Sequence, residues 1–227
     1  MNVAELWAQI EAEQEWRQQE IRFFERIMST LERDEDQNQF RRALVMLVYA
    51  HFEGFCKFAF LHYVAAINSE SLKRKEANYA LVAASMDEVF RELREPNKKC
   101  QEFKNELPDD TKLHRFARDR EFIERCSDID SSIVLVPDTV VDTESNLKPV
   151  VLRKILFRLG FQHDILHHIE GNIQQLLKDR NEIAHGALRD GIPEARYHRV
   201  REAAYTAMDE VRRHVMAALT NQAYLRP

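Results

Sequence analysis

Glycine and proline are scarce in this chain, with 5 Gly and 6 Pro in 227 residues. Short strands need frequent turns, and turns draw on those two residues, so the scarcity argues against a β-sandwich or a β-propeller. It argues equally against a phosphate-binding loop built on clustered glycines. Cysteine is scarcer still. Cys56, Cys100 and Cys126 are an odd number without CxxC spacing, which points to neither a disulfide framework nor a structural zinc site. The opening residues, MNVAELWAQIEAEQE, lack the basic and apolar regions of a secretory signal, so a cytoplasmic location is expected.

What remains is apolar and charged: 44% hydrophobic and 31% charged residues, enough to close one soluble core of long helices. Leu6, Ile10, Ile21, Phe24, Met28 and Leu31 recur at helical steps and predict a first helix to about residue 33. A second helix is expected from about Gln37 into the low sixties. Within it, Ala43 to Ile67 is long enough to cross a bilayer, but Glu53, Lys57, His51 and His62 interrupt the apolar run. A central helix buried in a bundle, not a membrane span, is the expectation. His51 and His62 then read as core or interface histidines with satisfied hydrogen bonds.

Residues 76–93, EANYALVAASMDEVFREL, predict a third helix that ends before Pro96. Residues 97–147 read as a charged insert or irregular region. Within it, β-branched runs on both sides of Pro137-Asp138 suggest a small hairpin or an extended loop over 131–143. Thr143, Ser145 and Asn146 are candidate N-caps for a helix that reaches Leu159 and stops at Gly160. A fifth helix is expected over about Asp164 to His185, closed by Gly186, and a last one from near Pro193 to about Asn221. The expected product is one all-α domain over residues 1–227.

Charge is unevenly placed. Residues 1–36 hold 10 Asp and Glu against 4 Lys and Arg, whereas residues 148–227 hold 13 Lys and Arg against 9 Asp and Glu. The formal charge of −5 therefore combines an acidic first helix with a basic C-terminal third, where any contact with an anionic partner is expected. Trp7 and Trp16, nine residues apart in the acidic helix, do not form a platform for stacking bases.

Two spacings could carry chemistry. His163-Asp164-Ile165-Leu166-His167 has the i, i+4 histidines of a zinc protease, but Asp164 stands where that chemistry needs a longer Glu, and no third ligand is evident. No metal or other cofactor is expected. The second is Lys178-Asp179-Arg180-Asn181-Glu182-Ile183-Ala184-His185-Gly186. A guanidinium can hold a phosphate and its developing charge, and an imidazole can move a proton near neutral pH, which together suit RNA cleavage through the ribose 2′-OH. Asn181 and His185 share a helical face, so the amide could orient the ring. Arg180 and His185 are about 140° apart on an ideal helix, so convergence needs a distorted last turn or residues from two copies of the chain. The bare Arg-x4-His spacing is weak by itself, since Arg158 to His163 matches it too. Both residues could equally be structural, paired with Asp179 or Glu182 or bonded to helix carbonyls.

RNEIAHG resembles the Arg-polar-x-x-x-His signature of the HEPN superfamily, and YAHFEGFCKFAFLHYV and TESNLKPVVLRKILFRLGF resemble segments of its MAE-type HEPN-like nuclease subgroup. The resemblance implies a helical bundle that dimerises around a composite site. It implies a metal-independent endoribonuclease leaving 2′,3′-cyclic phosphate ends, typically a toxin or defence effector with an antitoxin or other regulatory partner. Carried onto this chain, Arg180 would bind the scissile phosphate and His185 would shuttle the proton. Asn181 would orient His185 or contact the phosphate, and Glu53 would be a supporting carboxylate. Glu53 needs a partner in so apolar a segment; Arg180 or His185 would serve, as would Lys57 one turn along. A non-catalytic RNA- or nucleotide-binding module and a helical protein-interaction module are the alternatives.

Overall fold

The computed structural model describes residues 2–100 and 111–226. Helix α1 (Val3–Met28) starts under the Asn2 side chain, which accepts the Glu5 N–H at 3.2 Å. It ends five residues before the expected point, where Ser29 and Thr30 turn their hydroxyls onto the Arg26 and Ile27 carbonyls. Helix α2 (Asp34–Ser69) opens on Asp34, Glu35 and Asp36, carboxylates that favour the positive end of the helix dipole. It is long and apolar enough to cross a membrane, yet Phe52, Phe55, Phe60 and Tyr63 are buried in the protein core. α2 is the core helix that the interrupted apolar run predicts.

The expected third helix is two: α3 (Tyr79–Ser85) and α4 (Asp87–Arg94). The break falls at Met86, whose backbone leaves helical geometry as its side chain sinks into the core, while the Ser85 hydroxyl bonds back to the Val82 carbonyl at 2.8 Å. Helix α5 (Thr111–Cys126) occupies part of the charged insert and packs on α4 through Phe90 and Phe122 and the Glu92–Arg125 ion pair at 3.0 Å. Residues 101–110 of that insert lie outside the described residues.

No hairpin forms over 131–143. Val134 and Val136 point inward and Ile133 and Leu135 outward, as in a strand, but pairing stops at one antiparallel bridge, Ile133 with Lys73. Its two bonds run from the Val134 N–H to the Leu72 carbonyl and from the Arg74 N–H to the Ser132 carbonyl, each at 2.8 Å. The Asn68 amide clasps the Val136 peptide from both sides, at 2.8 and 2.9 Å. Pro137 then leads into a 3-10 turn, Asp138–Val141.

Helix α6 (Pro149–Arg158) begins with Pro149 in its first turn and no side-chain cap, so Thr143, Ser145 and Asn146 are not its N-caps. Residues 163–169 form turns and a short 3-10 segment, and helix α7 (Glu170–Ala184) starts later than expected. His163 and His167 therefore do not share an α-helical face. Helix α8 (Glu194–Thr220) closes the bundle. α2 packs against α1, α7 and α8, and α1 also packs on α8. Part of the acidic charge of α1 is consumed there, with Glu25 bonded to Arg201 at 2.6 Å and Glu11 to Arg212 at 3.4 Å.

Candidate functional site

The end of α7 is fixed by local chemistry. His185 caps the helix, and Gly186 adopts φ +73°, a conformation that favours glycine. The Gly186 N–H bonds to the Ile183 carbonyl at 3.1 Å and the Ala187 N–H to the Glu182 carbonyl at 2.8 Å, which is the Schellman closure. This turn presents His185 to solvent.

One turn earlier, α7 is bolted to α8. Asp179 is fully buried (0% exposed) and forms a two-pronged ion pair with Arg196, assisted by Gln175 Nε2 at 2.6 Å. A buried carboxylate is tolerated only when so paired. This pair, which the sequence did not single out, sets the rotation of α7 and sends its next residue, Arg180, toward α2.

Arg180 is half-buried. Its Nη1 donates to Asn181 Oδ1 at 2.8 Å and to Asn146 Oδ1 at 3.1 Å, and its guanidinium stands 5.1 Å from the centre of the Tyr49 ring. A cation over an aromatic face gains about 0.5–2 kcal/mol, more as water is excluded. Tyr49 is itself 2% exposed, and its hydroxyl accepts the Leu147 N–H at 2.9 Å. Burial, reinforced by the charge of Glu53, pushes its phenol up to about 12. The ring is neutral across the physiological range.

Glu53 lies one turn beyond Tyr49 on the same face of α2 and faces its hydroxyl. Among the described residues it forms no ion pair with Arg180, His185 or Lys57, so each expected charged partner is replaced by a phenol. The adjoining Gly54 serves a different seam. A Cβ there would lie 2.7 Å from Arg17 Nη1, so the missing side chain lets the α1 guanidinium rest on α2. Arg17 also pairs with Glu13, stands 4.6 Å over Trp16, and reaches His51 Nδ1 at 3.4 Å. His51 is buried with Nε2 2.7 Å from the Glu20 carboxylate, and His62 is half-buried, stacked on Phe58 and bonded to its carbonyl at 3.0 Å.

The structure thus brings Arg180, Asn181 and, through Tyr49, Glu53 into one cluster. It leaves His185 outside the hydrogen-bond network: Asn181 turns its oxygen to Arg180, and among the described residues no side-chain bond joins Asn181 to His185. Tyr49 and Asn146 were missed by sequence reasoning. Tyr49 carried a signal, being four residues before Glu53 on one helical face; Asn146 was legible only as a cap.

A family model described as MAE_28990/-like HEPN matches residues 6–224. The chain belongs to this HEPN family. No curated protein and no solved structure matches it. The all-α architecture agrees with a HEPN bundle, a fold class generally associated with RNA and nucleases.

Proposed function

We propose that this HEPN protein is a metal-independent endoribonuclease acting in the cytoplasm as a toxin or defence effector, with Arg180 and His185 as its catalytic pair. The observation that carries the reading is the treatment of Arg180. Its guanidinium is bonded by two uncharged amide oxygens and an aromatic face, so its positive charge is oriented without being neutralised. Such a group is ready for a phosphate and for the charge that grows on it during transesterification. His185 stands exposed at the end of the same helix, where a histidine can exchange protons with substrate and water. Asn181 belongs to the phosphate side of this site, holding Arg180, and not to the imidazole side.

In the proposed reaction the ribose 2′-oxygen attacks the adjacent phosphorus, the bond to the 5′-oxygen breaks, and a 2′,3′-cyclic phosphate and a 5′-hydroxyl result. The 2′-hydroxyl gives up its proton to water as the new bond forms, His185 supplies the leaving oxygen's proton and is reprotonated from water, and Arg180 stabilises the phosphorane charge. The separation of the two side chains on one helix supports a homodimer in which each working site draws on both copies. An antitoxin or other regulatory protein is the proposed controlling partner.

The test is RNA integrity after incubation or expression with wild type, Arg180→Ala and His185→Ala, with EDTA throughout. The wild type is expected to leave cyclic phosphate ends despite chelation, and each variant to lose at least about a hundredfold in rate. RNA left intact by every protein, with binding retained, would make this a non-cleaving RNA- or nucleotide-binding HEPN module instead.

A further inference from the structure

Arginine carries five N–H donors in a rigid planar fork, and which of them is already engaged decides how it can meet a phosphate. Nη1 of Arg180 has two protons and two acceptors, Asn146 Oδ1 at 3.1 Å and Asn181 Oδ1 at 2.8 Å. Among the described residues no other hydrogen bond reaches the guanidinium. The edge formed by Nε and Nη2, which can take two oxygens of one phosphate in parallel, is thereby left open.

The supports of this arrangement come from two distant segments. Tyr49 on α2 places its ring 5.1 Å from the guanidinium. Its hydroxyl accepts from the Leu147 N–H at 2.9 Å, and Leu147 directly follows Asn146 and is fully buried. One phenol therefore supports the cation and anchors the loop that carries the cation's amide acceptor. The charge of Glu53, one turn along α2, helps keep the phenol protonated. The loop itself is tight: Glu144 and Ser145 have φ of 50° and 64°, and the Asn146 N–H bonds to the Thr143 carbonyl at 2.9 Å. Asn146 has little freedom to turn away.

We infer that Tyr49 and Asn146 are positioning residues that hold the Arg180 guanidinium by its Nη1 corner and its face, leaving the Nε–Nη2 edge for the substrate phosphate. The inference rests on reading Arg180 as the phosphate-binding group, and it adds how that group is aimed. The neutrality of the acceptor matters as much as its place. A carboxylate at position 146 would hold the guanidinium equally well while competing with phosphate for its charge.

The experiment follows the Arg180 Nε–Hε signal of the labelled full-length chain, assigned by its loss in Arg180→Lys, with thermal unfolding as the check that each variant is folded. In the wild type this group is expected to be about as ordered as rigid backbone, with an order parameter of about 0.85. Asn146→Ala and Tyr49→Leu should each lower it below about 0.6, and Tyr49→Phe, which keeps the ring, should lie between. Asn146→Asp should keep the order, yet weaken binding of inorganic phosphate, read from the shift of the same signal, by at least about tenfold. Unchanged order in Asn146→Ala, or wild-type phosphate binding in Asn146→Asp, overturns the inference. These two Asn146 variants decide it even if Tyr49→Leu does not fold. Neither readout uses RNA, so a wild type that leaves RNA intact overturns the nuclease reading and not the positioning.

Discussion

Gly191 sits against the start of α2, where an added Cβ would lie 2.4 Å from Asn38 Cβ and 2.7 Å from the Asn38 carbonyl carbon. The next residue, Ile192, is fully buried and donates its N–H to the Asn38 carbonyl at 2.9 Å. Backbone cannot swing aside as a side-chain tip can, so Gly191→Ala is expected to destabilise the fold by about 1–3 kcal/mol, measured by urea unfolding. Gly186 differs, because no atom would meet its Cβ and its constraint is the positive φ alone. That difference separates what was legible from what was not. Gly186 closes its own helix, so adjacent residues announce it; Gly191 answers to Asn38, far back in the chain. Among the candidate site residues, Arg180 and Asn181 were legible by type and spacing, and Glu53 through the family resemblance. Asn146 was misread as a cap because nothing near it in sequence names Arg180.

α2 carries two polar seams on nearly opposite faces, at about 100° per residue: Tyr49 and Glu53 toward α7 and the 143–148 loop, His51 and Gly54 toward α1. The second seam has a consequence with pH. Burial holds the His51 pKa below its ordinary value of 6.5; Glu20 and Glu13 oppose the shift, and Arg17 adds to it. The unfolded chain therefore takes up this proton near pH 6.5 and the folded chain only at lower pH. Between the two values the unfolded state binds more protons, so this contribution is complete above about pH 6.5 and is lost as pH falls. On going from pH 7.5 to 5.5, wild type is expected to lose more stability than His51→Gln, by up to about 1.4 kcal/mol for each pH unit inside the window, read from urea midpoints. Equal losses would mean that His51 titrates alike in both states. Elements were legible wherever their own periodicity set them, as in α2, α6 and α8. The break at Met86 and the single-bridge segment at 133–136 were not, since the core draws in Met86, and distant Lys73 and the Asn68 side chain hold the two ends of that segment.

Across the whole molecule, the charge asymmetry between the two ends becomes partly an internal contact, because Glu25 and Glu11 of α1 meet Arg201 and Arg212 of α8. The acidic helix is thus occupied in closing the bundle before any partner is considered. At this scale the proposed composite site is tested by mixing. Arg180→Ala and His185→Ala, each inactive alone, should regain part of the RNA cleavage when unfolded and refolded together, and a mixture as inactive as its components would place each working site within one chain. The sequence alone determined the helical class, the buried character of α2 and the Schellman end of α7, because periodicity, interrupting charges and a glycine at a helix terminus act over a few residues. Only tertiary packing decided what surrounds Arg180. Its acceptors and its aromatic support come from α7, the 143–148 loop and α2, three segments that the chain keeps apart and that the burial of Asp179, Leu147 and Tyr49 brings together.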